Sequence, residues 1–81
     1  MSAHETFARD ILVKELETRR FEFVRLSDEA CTLRNEMMIS TSKALYSTLK
    51  SDIDQIDKRR RELRGEMSAL RQAIAKLEKD E

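Results

Sequence analysis

The chain has 81 residues, of which 40% are charged and 5% aromatic, with one Gly and no Pro or Trp. This composition of helix formers with solvated surfaces excludes the layered interior of a compact enzyme domain, and at this length self-association is the first expectation, because small chains are marginal without staples or partners. Sixteen Lys and Arg balance sixteen Asp and Glu, so no global field draws the chain to nucleic acid, and partners have to be read from local patches.

The N-terminus lacks a signal-peptide core, and no apolar run approaches the roughly 18 to 20 residues that a membrane span needs. A single cysteine, Cys31, cannot form an intramolecular disulfide and suits a reducing compartment. The expected location is therefore intracellular, in the cytoplasm, with no membrane partner.

Ser2 followed by Glu5 forms a capping box, in which the Ser hydroxyl and the Glu carboxylate satisfy each other's orphan backbone amides. Helix 1 is expected over residues 3–38, since nothing in that stretch breaks a helix. Its heptad a and d positions hold Leu12, Leu16, Arg19, Phe23, Leu26, Ala30, Leu33 and Met37. Residues 39–42, Ile-Ser-Thr-Ser, form the expected turn, because hydroxyl side chains compete for backbone hydrogen bonds and make good N-caps.

Helix 2 is expected over residues 43–79, with Tyr46, Leu49, Ile53, Ile56, Arg60, Leu63, Met67, Leu70, Ile74 and Leu77 on its seam. The two registers do not join. Extending the first from Met37 puts the next a position at Ala44, whereas the second has it at Tyr46. That slip is neither a stutter nor a stammer, and it would strain one continuous coiled coil.

An antiparallel hairpin folded at Ser40 removes the strain. Centring the fold on the Ser/Thr break pairs Leu12 with Met67, Leu16 with Leu63, Phe23 with Ile56, Leu26 with Ile53, Ala30 with Leu49 and Leu33 with Tyr46. It also sets Arg19 opposite Arg60 in a polar layer, with Glu22 facing Arg59 and Arg20 facing Asp57 so that the arginines can snorkel toward acids. The expected fold is all-α: one helical unit over residues 1–81, an antiparallel two-helix coiled-coil hairpin that dimerises into a four-helix bundle. A long parallel coiled-coil dimer is the alternative.

The outer face of helix 1 motivates the dimer. Phe7, Ile11, Phe21, Val24, Cys31 and Met38 lie off the seam, whereas the outer positions of helix 2 are polar. Apolar residues on two faces of a helix call for neighbours on both sides, which makes these six the expected interaction face.

Chemistry is sparse. His4 is the only histidine and has no companions at metal-ligand spacing. Asp52, Asp54 and Asp57 lack the Gly and terminal Glu of a calcium loop. No Ser has the His and acid of a nucleophile motif, and there is no Gly-rich phosphate loop. No catalytic residue, metal, cofactor or small-molecule substrate is expected. The run from Lys58 to Arg64 is the one dense basic cluster, in which Lys58, Arg59, Arg61 and Arg64 could reach phosphate, although a lone basic run is a weak footprint of nucleic-acid binding.

The leading functional expectation is a non-enzymatic protein interaction or oligomerisation module, a small helical adaptor, scaffold or assembly factor that binds itself or a partner helix. A secretion-type helical chaperone is one version on architecture alone. A nucleic-acid-binding helical protein using residues 58–64 is a second reading, and the N-terminal coiled-coil segment of a longer structural protein is a third.

Overall fold

The computed structural model describes residues 3–79. It is an antiparallel hairpin of two helices, α1 (Ala3–Ile39) and α2 (Lys43–Lys79), with no strand among the described residues. Neither helix is long and apolar enough to cross a membrane. The Ser2 half of the capping box lies outside the described residues.

The turn needs no glycine because its own hydroxyls close it. Ile39 still belongs to α1, one residue beyond the expected end, and the Ser40 amide donates to the Met37 carbonyl at 3.4 Å. Ser42 is the N-cap of α2: its Oγ accepts the Leu45 amide at 3.3 Å, and its carbonyl accepts the Tyr46 amide at 3.0 Å to begin the helical ladder. Ser40 Oγ accepts the Ser42 amide at 3.3 Å, and no described residue adopts a positive φ. Three residues with short side-chain acceptors therefore reverse the chain at ordinary backbone angles.

Both heptad faces meet along one seam. Leu26, Ala30, Leu49, Ile53, Leu63 and Met67 are buried, and Leu12, Leu16, Phe23, Leu33, Ile56 and Leu70 are partly buried beside them. The register differs from the expected one by a heptad. Phe23 lies beneath Arg60 and Arg64, with guanidinium carbons 5.1 and 5.3 Å from the ring centroid, so it faces Leu63 and not Ile56.

Ion pairs on both flanks agree. Glu22 meets Arg59, Arg19 meets Glu66, Arg9 meets Glu78 and Arg34 meets Asp57. Taken together these contacts centre on a register that brings Phe23 level with Leu63, and heptad spacing extends it to Leu16 level with Leu70, Ala30 with Ile56 and Leu33 with Ile53.

A heptad pattern fixes pairing only to within a multiple of seven residues, and electrostatics selects among the options. In the expected register Arg19 and Arg60 share a layer. The one-heptad shift separates them: Arg19 gains Glu66, while Arg60 donates to Asp57 at 3.1 Å and stacks on Phe23. Of the two flanking pairs expected, Glu22 with Arg59 forms at 3.0 Å, but Asp57 is held by Arg34 and Arg60, not by Arg20.

The same shift staggers the helices. Ile39 comes level with Ser47, so the first turn of α2 projects past the end of α1, and Tyr46 stays 47% exposed where a seam residue was expected. A 37-residue helix is about 55 Å long, and the hairpin measures 60 × 14 × 13 Å.

Candidate interaction surface

α2 spends its apolar residues on the seam. Its outward positions, including Ser47, Ser51, Asp54, Gln55, Lys58, Arg61, Glu62, Gly65, Ser68 and Gln72, are exposed and polar. α1 does not follow that pattern: its apolar side chains are distributed around the whole helix, and only Leu26 and Ala30 are buried. Phe21 is 77% exposed, Met38 83%, Phe7 66% and Val24 58%, and Ile11 and Cys31 are exposed as well. In heptad terms these side chains sit at b, c and f, off the seam; Val24 borders a groove that it shares with Arg64, Met67 and Arg71 of α2, and Phe21 one that it shares with Arg59. All six residues expected to form the interaction face are therefore solvent-accessible in the hairpin.

They fall in three groups along the helix. Phe7 and Ile11 share a shallow surface groove with Asp10, Val13, Lys14 and Glu17. Phe21 and Val24 occupy the middle. At the turn, Met38 is joined by Ile39, Leu45 and Tyr46, all exposed. Ile39 and Leu45 were not expected in this patch. Ile39 belongs to the last turn of α1 and not to the turn between the helices, and the exposure of α2's first turn depends on the stagger, which heptad spacing alone does not contain.

The basic cluster is largely occupied within the hairpin. Arg59 donates to Glu22 at 3.0 Å, to Glu62 at 3.3 Å and to Glu66 at 3.5 Å, and the hydrogen bond to Glu22 is the largest of the effects that raise its pKa further. Arg60 and Arg64 lie over Phe23, and Arg60 Nε is buried without a hydrogen-bond partner, a cost set against its bond to Asp57 and its ring contact. Of the four candidate phosphate contacts, Arg59 and Arg64 are thus engaged, and Lys58 and Arg61 remain on the outer face.

Nothing else converges on a site. The described residues contain no group of three potential metal ligands, and His4 and Cys31 are exposed. Asp57, the last member of the acidic run, is taken up by arginines. The hydroxyls of Thr18, Ser27, Thr32 and Thr48 each donate to the carbonyl four residues back, the ordinary disposition of Ser and Thr inside a helix. The surface depressions are open grooves along the helices, such as that lined by Ser47, Lys50, Asp54 and Lys58. No protein-family model, curated protein or solved structure matches the chain.

Proposed function

We propose that this protein is a non-enzymatic interaction module, a helical adaptor or oligomerisation unit whose working surface is the outer face of α1. One observation carries the reading: large apolar side chains from Phe7 to Met38 stand exposed along the helix, off the seam. Burying one such side chain is worth about 1.5 to 3 kcal/mol, and the hairpin itself does not collect that energy. The described residues form an elongated hairpin whose surface depressions are open grooves, and it offers a long face to another helix.

Sedimentation over a concentration series tests the reading. Phe21→Glu combined with Val24→Lys should abolish association while circular dichroism stays helical, and Lys58→Glu combined with Arg61→Glu, on the outer face of α2, should leave it unchanged. The reverse pattern would overturn the proposal and transfer the role to the basic cluster.

A further inference from the structure

The outer stripe of α1 carries charges as well as apolar groups, and their arrangement is informative. Lys14, Glu17, Arg25 and Asp28 lie on this face, all exposed, and none forms an ion pair within the hairpin among the described residues. Charges that flank the seam are in part paired, Arg9, Glu22, Arg34, Asp57, Arg59 and Glu66 among them, whereas Glu15, Arg20 and Glu29 form no ion pair among the described residues. Asp10 is a fifth unpaired charge on this face, and its counterpart about Phe21 is the neutral Thr32; the other four are antisymmetric about Phe21. Four residues before it is Glu17 and four after it Arg25; seven before is Lys14 and seven after Asp28.

We infer that the occupant of this face is a second copy of the same chain, docked antiparallel, α1 on α1, with Phe21 of both copies at the two-fold axis. The inference rests on the interaction-module reading and supplies its partner and orientation. About this axis Lys14 comes level with Asp28 of the second copy, Glu17 with Arg25, and Val24 with Thr18. Ile11 comes level with Cys31. Opposite charges thus share two levels on each side of the centre, with Phe21 packed on Phe21 at the axis and Ile11 beside Cys31 farther out. A parallel, in-register pair sets every charge against itself, Lys14 on Lys14 and Asp28 on Asp28, and is disfavoured throughout.

The position of Phe21 also fixes the outline of the assembly. It sits at f, the heptad position farthest from the seam, so the second α1 lies on the side opposite α2. The order across the particle becomes α2, α1, α1, α2: a flat four-helix array with polar α2 surfaces outermost, in place of a square four-helix bundle.

Charge exchange tests the geometry. Lys14→Glu and Asp28→Lys, each alone, place like charges together at two symmetric sites and should weaken the dimer about 3- to 30-fold, whereas the double variant should restore it to within about twofold. The two residues are about 21 Å apart on their own helix, so such rescue cannot arise within one chain. A nitroxide on Cys31 supplies the orientation independently, with labels about 30 Å apart in the antiparallel pair and adjacent in a parallel one. A dimer with adjacent labels or without rescue overturns the antiparallel geometry. A wild-type chain that stays monomeric at high micromolar concentration overturns the second copy as occupant. The interaction-module reading fails separately, when association persists in the Phe21→Glu, Val24→Lys variant.

Discussion

α1 and α2 are of equal length, 37 residues each, and share one seam, yet they distribute their apolar residues in opposite ways. α2 commits Leu49, Ile53, Leu63 and Met67 to full burial and leaves an almost wholly polar exterior, while α1 buries Leu26 and Ala30 and exposes Phe7, Phe21, Val24 and Met38. The difference separates two demands on the sequence. A seam is all that a hairpin requires, and α2 meets that demand with nothing added. What α1 carries beyond the seam is surplus to the hairpin, because exposed apolar groups of this size and spacing add nothing to the fold of a single chain, and the proposed interaction face is built on that surplus.

The largest expected effect sets the two helices against each other directly. Leu63 is fully buried against Phe23, Leu26 and Met67, and Leu63→Ala should cost about 2 to 4 kcal/mol of stability in urea titrations. Phe21→Ala, on the outer face of α1, should change the stability of the dilute chain by no more than about 0.5 kcal/mol. A comparable loss from both would mean that the outer face of α1 is already covered within one chain, and the contrast between the helices would disappear.

A smaller effect sharpens the seam. Phe23 serves as a platform for Arg60 and Arg64, so a double-mutant cycle of Phe23→Leu with Arg60→Met should return a coupling of about 0.5 to 1 kcal/mol. The cycle with Arg64→Met in place of Arg60→Met separates the registers, because in the expected one Arg64 lies about 12 Å beyond the level of Phe23 and no coupling follows, whereas here it lies over the ring. A null result there would count against the observed register.

Much of this was legible in the residues. Uninterrupted a and d spacing gave the two helices, the capping box and the Ser/Thr break gave their facing and starting ends to within a residue, and the change of register at Ser40 to Ser42 located the reversal. The off-seam residues of α1 gave the exposed face, because a side chain at f cannot reach a seam bounded by a and d whatever the pairing. The register was not legible. Heptads repeat, so Phe23 opposite Ile56 and Phe23 opposite Leu63 satisfy the same pattern, and the choice rests on three-dimensional contacts of the arginines. Arg60 escapes Arg19 only by sliding onto an aromatic ring beside Asp57. That slide exposes Tyr46 and adds Ile39 and Leu45 to the tip patch, which spacing alone does not reveal.

The smallest effect probes the outer face of α2, the surface that should have no neighbour at all. Gly65 is the only glycine; it lies in mid-helix at the f position, exposed, and a methyl group added there would meet nothing within 4 Å. Glycine is the poorest helix former after proline, so Gly65→Ala should raise stability by up to about 1 kcal/mol in thermal or urea unfolding. Sedimentation should be unchanged, since the proposed flat array has α2 outermost, with its f positions facing water. A Gly65→Ala chain that is less stable, or that no longer associates, would place a close backbone neighbour against α2. Gly65 would then mark the contact surface, and α1 would lose its claim to be the helix that reaches beyond the hairpin.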